Sequence, residues 1–350
     1  MQVAPLWFTV PPKKYGGTER IVSYLCDGLV KRGHKVTLFA SPGSKTSAKL
    51  VSIYSKPLIS AGLSWKSKIP TLNNLSQAYE MAIKENFDLI HVHTDVWSLF
   101  FNNLTKIPTV HTMHNPLYST QEKGKLKKYE RYALFKDYSS KTNIVFISKA
   151  SERNARLKAK RSVVIHNSID TDNFPFSPTP KDHFIWIARI SQNKGIENAI
   201  EAAEITGAKL LLAGRLDPDQ INYFEEKIKP RLSNKICYLG ELKRQDLPKF
   251  YGSAKALLYP IEWEEPFGLV VVEAMASGTP VIAYKRGSML ELIENGKTGF
   301  IVENMREFTE AMKKIDTLDR RYIYERSRAQ WSVDRMVDDY ENFYYKIICG

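Results

Sequence analysis

Short apolar runs alternate with amphipathic stretches along nearly the whole chain. Strand, then helix, then strand is the rhythm of parallel sheets covered on both faces by helices. In the first half the runs place strands near Gln2–Leu6, Lys35–Ala40, Asp88–Val92, Pro108–His111, Asn143–Ile147 and Val163–His166. Helices fit between them at Thr18–Arg32, Leu72–Glu85, Val96–Leu104, Lys125–Tyr138 and Lys149–Arg156. The stretch from Asp172 to Pro180 then breaks the rhythm with Pro175, Pro178 and Pro180. Prolines so close together continue neither a helix nor a central strand, so this stretch reads as a linker.

Beyond it the alternation restarts. Strands are expected at Phe184–Ala188, Lys209–Leu212, Ile236–Leu239, Ala256–Tyr259, Pro280–Ala283 and Phe300–Val302. Helices are expected at Ile196–Thr206, Asp219–Leu232, Gln245–Ser253, Gly268–Ser277, Met289–Ile293 and Arg306–Leu318. At 350 residues the chain is long for one core, and two domains are the default. The expected division is 1–172 for an N-terminal domain, 173–182 for the linker and 183–330 for a C-terminal domain. Residues 331–350, rich in Trp331, Tyr340, Phe343, Tyr344 and Tyr345, read as a helix that crosses back onto the first domain. The fold class is α/β, with two doubly wound domains whose strand carboxyl ends face a shared cleft, where ligands bind.

Composition narrows the setting. A hydrophobic fraction of 43% with 25% charged residues describes a globular chain. No apolar run approaches the ~18 residues that span a bilayer. No signal peptide is recognisable before Val3-Ala4-Pro5, so the expected location is cytoplasmic. Cys26, Cys237 and Cys349 are isolated and encode neither a disulfide framework nor a zinc knuckle. The net charge of +13 sits in one half: residues 1–172 hold 26 Lys and Arg against 12 Asp and Glu, whereas 173–350 hold 25 against 26. Within 121–161, 13 basic residues face 4 acidic ones. Such a patch draws an anionic lipid, glycan or nucleic acid, and it predicts peripheral contact at the inner membrane face. Lys125–Tyr138 has Leu126, Tyr129 and Ala133 along one side and Lys127, Lys128, Arg131 and Lys136 elsewhere, a composition suited to a lipid interface. Packing of that apolar side on a sheet, with wet lysines outside, fits equally.

The chemistry concentrates in Glu265-Pro266-Phe267-Gly268-Leu269-Val270-Val271-Val272-Glu273. Glu265 lies before a helix start whose N–H groups attract anions, and Glu273 lies about two turns on, on roughly the same face. Carboxylates flanking a helix start suit a phosphorylated sugar, since they accept hydrogens from its hydroxyls. Arg189 follows a strand end and Lys194 precedes a helix, so both can project from the carboxyl edge of a sheet. Gly16-Gly17 precede a helix and let backbone approach a phosphate closely. G-x-G-x-x-G is absent, and Gly296-Lys297-Thr298 lacks the earlier glycine of a P-loop.

Taken in order, these segments resemble the retaining family-four glycosyltransferases of GT-B architecture (glycosyl transferases group 1). Pro12 to Arg20 is similar to the family's glycine-rich first turn, and Ile187 to Gly195 to its phosphate-gripping segment. Ile165 to Asp170 is similar to its domain-ending turn, with His166 and Ser168 where Pro and Gly are commoner. Arg286 to Glu291 corresponds to a loop that normally carries a second Gly and a Pro, replaced here by Ser288 and Leu290. The resemblance implies two Rossmann-like domains facing a cleft and retaining transfer of a hexosyl unit from a nucleotide sugar. UDP-sugar is favoured over GDP-sugar, and the acceptor is a hydroxyl of a glycan, glycolipid or small molecule. It implies that Arg189 and Lys194 hold the donor diphosphate and Glu265 the sugar hydroxyls. Glu273 takes the ribose hydroxyls, while the backbone N–H groups of Phe267, Gly268 and Leu269 face the sugar and β-phosphate. Arg189, Lys194, Glu265 and His114 form the catalytic set, with Gly16, Gly17 and His111 on the donor. No cofactor is implied beyond the donor itself.

Two patterns could argue for a metal. His91, His93, His111 and His114 lie at two strand ends, without the spacing of Asp, Glu or Cys that would complete a ligand set. By analogy with the family's Thr-x-His-Gly turn, His114, with His111 as second choice, lines the donor sugar; Asn115 stands where that glycine would be. Asp170-Thr171-Asp172 and Asp217-Pro218-Asp219 have the Asp-x-Asp form of a metal-dependent transferase, but helix N-capping is the expected role of both. Transfer without a metal is therefore expected. A non-catalytic lipid- or nucleic-acid-binding protein has no need of Arg189, Lys194, Glu265 and Glu273 together, and no nucleic-acid partner is expected. A nucleotide-sugar isomerase or epimerase of the same fold is the nearest enzymatic alternative.

Overall fold

The structure, a computed structural model, describes residues 1–14, 16–63, 67–116, 135–155 and 158–350. The chain forms two compact units, Met1–Ser168 with Val333–Gly350, and Ile169–Ser332. In the first, β1 (Gln2–Val3), β2 (Thr37–Phe39), β3 (Lys49–Val51), β4 (Ile90–Val92), β5 (Thr109–Met113), β6 (Asn143–Phe146) and β7 (Arg161–Val164) form a sheet of order β3-β2-β1-β4-β5-β6-β7. Neighbouring strands pair in parallel, with Val110 opposite Asn143 and Met113 opposite Phe146 across β5 and β6. The strand order reverses between β1 and β4, the place where doubly wound sheets open a crevice at their carboxyl edge.

Local chemistry explains where elements differ from the pattern. β1 stops at Val3, just short of Pro5, which has no N–H for a ladder. The edge strand β3 was not expected, because its residues are exposed or half-buried and show no apolar alternation. The helix Ile69–Lys84 begins before Leu72, with Pro70 in its first turn. A 3₁₀ segment, Asp95–Phe101, stands where an α-helix was expected. Most of the expected helix Lys125–Tyr138, with Lys127, Lys128 and Arg131, lies outside the described residues. The last helix, Val333–Ile348, packs on the helix Gly17–Lys31. Gly28 permits this: a Cβ there would lie 2.5 Å from Cγ2 of Val337.

The second unit has β8 (Phe184–Ile187), β9 (Leu210–Ala213), β10 (Ile236–Tyr238), β11 (Leu257–Tyr259), β12 (Val281–Tyr284) and β13 (Gly299–Val302), in the order β10-β9-β8-β11-β12-β13. Its core gathers Trp186, Ile200, Leu212, Leu258, Ile282 and Phe308 from strands and covering helices. The order reverses between β8 and β11. The expected helix Asp219–Leu232 is instead a chain of short pieces that pass from 3₁₀ to α, π and 3₁₀ geometry as Pro230 is reached.

Residues 169–182 belong to the second unit rather than to the first domain and a free linker. The prolines prevent regular structure, yet Phe174 is fully buried. Ser177 N–H donates to Ser277 O (3.2 Å), Lys181 N–H to Ser253 O (2.8 Å) and Arg320 Nε to Ser177 O (2.9 Å). Aromatic burial and satisfied backbone groups therefore tie this stretch to the sheet domain. Among the described residues no helix is long and apolar enough to cross a membrane.

Candidate active site

At the reversal point of the second sheet, the chain leaving β8 meets the chain leaving β11. Gly195 makes the meeting possible. Its φ is +69°, and a Cβ would lie 1.8 Å from the carbonyl oxygen of Pro260. Only glycine allows both the left-handed backbone and the close approach. The turn before it is held by Trp186, whose indole N–H donates to Lys194 O at 3.1 Å. Lys194 thereby stands beside the segment 260–265. Its ammonium lies 2.6 Å from Oε2 of Glu265 and 4.3 Å from the ring centre of Trp263.

That one carboxylate oxygen collects three donors. Besides Lys194, the Tyr259 hydroxyl donates at 2.7 Å and the Trp263 indole N–H at 3.0 Å. Glu265 is 8% exposed, and its charge is held by direct partners instead of bulk water. Lys194 and Glu265, singled out separately in the sequence, are brought into contact here. Arg189 is not part of that contact: its Nη1 lies 3.4 Å from Oδ2 of Asp217, whose Oδ1 is 2.6 Å from Nε of Arg215. Asp217 makes no side-chain cap bond, contrary to the capping role expected of it, because two arginines from neighbouring strand ends claim its carboxylate. Asp170 makes none either, its carboxylate accepting instead from the Asn173 amide.

Glu265 leads into Phe267, Gly268 and the helix Leu269–Ala276. Gly268 has φ +99°, so a side chain there would be strained, and its Cβ would also touch Met289. The loop after β12 braces this turn from outside. Gly287 (φ +52°) sits so close that a Cβ would fall 2.2 Å from Glu265 O. Gly287 N–H donates to Glu264 Oε2 (2.8 Å), Ser288 N–H to Glu265 O (3.0 Å), and Ser288 Oγ to Phe267 O. Ser288, a departure from the family pattern, is thus a brace for the turn.

Glu273 lies in the same helix and is 5% exposed. Arg244 Nη1 donates to its Oε1 at 2.6 Å and the Tyr251 hydroxyl to its Oε2 at 2.9 Å. Sequence reasoning missed Tyr259, Trp263, Arg244, Tyr251 and Asp217 as site residues. Trp263 and Tyr259 are close enough to Glu265 in the chain to have been noticed. Arg244 and Tyr251, 29 and 22 positions from Glu273, carry no local signal.

In the first unit, Gly16 (φ +138°) starts the helix that continues from Gly17. A Cβ at Gly16 would meet Pro12 at 2.8 Å and the Glu19 carboxylate at 3.2 Å. Glu19 is buried, and burial pushes its carboxyl up to about 7. The histidines divide between the two faces of the sheet. His111 hydrogen-bonds Ser98 Oγ (2.6 Å) and Asn102 Oδ1 (2.7 Å), so both ring nitrogens are engaged. On the other face His114 Nε2 meets His93 Nδ1 (3.0 Å), and His93 Nε2 meets Gln2 Oε1 (3.0 Å). His91 bridges Tyr344 (2.6 Å) and Thr112 (2.7 Å). Burial lowers His111 and His114 to about 3 and His91 and His93 well below their ordinary value, so all four are neutral near pH 7. Among the described residues no three His, Cys, Asp or Glu side chains come together as a metal site.

Two sheet units of this order, with cationic and carboxylate side chains at a strand-order reversal, belong to the doubly wound α/β class, whose ligands bind at that reversal. Comparison with known proteins narrows the class. Residues 15–173 match the family model for glycosyltransferase family 4, and residues 170–330 that for glycosyl transferases group 1. The chain belongs to the family 4 glycosyltransferases of GT-B architecture, built from two Rossmann-like units. An uncharacterized glycosyltransferase of Methanocaldococcus jannaschii is 25% identical over 97% of this chain and 90% of its own length. The solved sucrose-phosphate synthase of Thermosynechococcus elongatus superposes with a TM-score of 0.83 at 20% identity, over 99% of this chain and 98% of that one. Anabaena HepE, solved with UDP and glucose, gives 0.74 at 19% identity over 97% of both chains.

Proposed function

We propose that this glycosyltransferase moves a hexosyl unit, with retention and without a metal, from a nucleotide sugar to an acceptor hydroxyl. The observation that carries this reading is the Lys194–Glu265 contact, seated on Trp263 and Tyr259 at the reversal point of the second sheet. Lys194 and Arg189 supply fixed positive charge where the leaving diphosphate gathers negative charge, the kind of preorganised stabilisation that replaces a metal ion. Arg189 offers a planar fork and Lys194 a compact charge. Glu265, Glu273 and the helix start at Phe267, Gly268 and Leu269 offer acceptors and N–H groups to the sugar and phosphates. His114, neutral and bonded through one ring nitrogen among the described residues, is assigned to the sugar in preference to His111. The acceptor hydroxyl attacks the face that the leaving group departs, and a β-phosphate oxygen takes its proton, so no enzyme nucleophile is needed. UDP-sugar is the favoured donor, in keeping with the UDP and glucose held by the Anabaena neighbour.

A thermal-shift screen of UDP- and GDP-sugars identifies the donor. Transfer from that donor should survive EDTA and yield product with the donor's anomeric configuration. Full loss on chelation, restored by Mn²⁺, refutes metal independence; inversion refutes retention. The basic stretch 121–161 points to an anionic or lipid-linked acceptor. Cosedimentation with liposomes should rise with anionic lipid and fall when Lys127, Lys128 and Arg131 become glutamate; equal binding of the variants refutes membrane contact.

A further inference from the structure

Glu273 is clamped from both sides within the second unit. Arg244 takes Oε1 and Tyr251 takes Oε2, which leaves each carboxylate oxygen with acceptor capacity on one side only. The clamp is itself supported from below. The Arg244 guanidinium lies 4.9 Å from the ring centre of Phe174, and that ring lies 6.1 Å from Tyr251. Phe174 is fully buried and comes from the proline-interrupted stretch, so a segment that looks like a linker forms the floor. The Glu273 carboxylate therefore cannot turn without breaking a charge-assisted bond to Arg244, a bond to Tyr251, or both. The two unused acceptor positions, one on each oxygen, match two neighbouring hydroxyls of a ligand.

Building on the nucleotide-sugar reading above, we infer that Arg244 and Tyr251 are positioning residues that make this enzyme select ribonucleotide over 2′-deoxyribonucleotide donors. A ribose fills both open positions of the clamped carboxylate with its vicinal hydroxyls. A 2′-deoxyribose fills one and leaves the second acceptor position of a nearly buried, charged oxygen unfilled, the kind of deficit that gives polar sites their selectivity. Were the carboxylate free to swing, water or a new rotamer would supply the missing bond and the selectivity would fade. The arrangement thus turns a helix residue into a rigid reader of the 2′-position.

The experiment measures dissociation constants by calorimetry for two ligand pairs, UDP with 2′-deoxy-UDP and GDP with 2′-deoxy-GDP. The wild type should prefer the ribo form of its nucleotide by tenfold or more. Arg244→Ala should weaken the ribo form and leave the deoxy form nearly unchanged, which reduces the preference to threefold or less. Tyr251→Phe keeps the ring and removes only the hydroxyl, and should give an intermediate preference. Arg244→Lys, which keeps charge without the planar fork, should restore part of it. A merely structural clamp would weaken both members of a pair equally. If UDP or GDP binds but the preference is absent in the wild type, or persists undiminished in Arg244→Ala and Tyr251→Phe, the inference is overturned. If neither diphosphate binds the wild type, the nucleotide-sugar reading itself falls, and this inference with it.

Discussion

Glu265→Ala separates the site's contribution to folding from its contribution to chemistry. The substitution strips three donors of one shared acceptor: the Lys194 ammonium, the Trp263 indole N–H and the Tyr259 hydroxyl. Lys194 and Trp263 reach solvent, so water replaces the lost partner for both. Tyr259 is 2% exposed, so bulk water does not take the place of this acceptor. Taking the acceptor from a buried donor costs about 1–3 kcal/mol, and for a body of this size each kcal/mol lowers the unfolding midpoint by about 2–4 °C. A fall of roughly 2–12 °C is therefore expected from loss of the Tyr259–Glu265 bond. Adding Tyr259→Phe removes the donor as well as this acceptor, and paired removal is close to neutral. The double variant should regain most of the midpoint. Activity should behave differently. Loss of a charge-assisted bond to the sugar lowers kcat/KM by about one to two decades, and Tyr259→Phe does nothing to replace it. Calorimetry and release of nucleoside diphosphate from the donor sugar measure the two quantities. Recovery of activity together with stability would show that Glu265 only supports the fold. A double variant no more stable than Glu265→Ala would show that Tyr259 is not what the carboxylate satisfies.

The remaining expectations concern the glycine contact, the second glutamate and the buried acid. Gly195→Ala combines a left-handed φ with a Cβ driven into Pro260 O and should cost about 2–5 kcal/mol in urea unfolding. Gly296→Ala has a similar φ but no atom within 4 Å and should cost about 1–2 kcal/mol; equal costs would discount the close approach. Glu273→Ala should lower kcat/KM for the donor by about one to two decades, and an unchanged value would reduce Glu273 to a helix residue bonded to its neighbours. Burial raises the Glu19 carboxyl from 4.5 to about 7, so the stability tied to its protonated form is complete below pH 4.5 and is lost as pH rises through about 7. Wild type should therefore lose on the order of 3 kcal/mol relative to Glu19→Gln over that window. The four buried histidines, which act in the opposite sense below pH 6.5, cancel in the comparison, and parallel pH profiles would refute it.

Some of this protein was legible in sequence because the relevant physics is local. Apolar runs that must be buried on both faces announced most of the strands of two parallel sheets. Gly195, Gly268 and Gly16 stand where backbone must turn left-handed, and Lys194 and Glu265 stand at strand-end segments. A period of two also separates His111 from His114 across a sheet, a signal present in the sequence that sequence reasoning passed over. Partner choice was not legible. Lys194 and Glu265 are 71 positions apart, and they meet only because Gly195 lets the chain after β8 touch the chain after β11. Asp217 has the look of a helix cap, but Arg215 and Arg189 from adjacent strand ends outcompete backbone N–H groups for its charge. The prolines near residue 178 suggested a linker, whereas burial of Phe174 under Arg244 ties that stretch to the second unit. Local sequence encodes which residues must be buried and which backbone must bend. Which charges finally face each other depends on strand order and close approach, and those exist only once the sheet has formed.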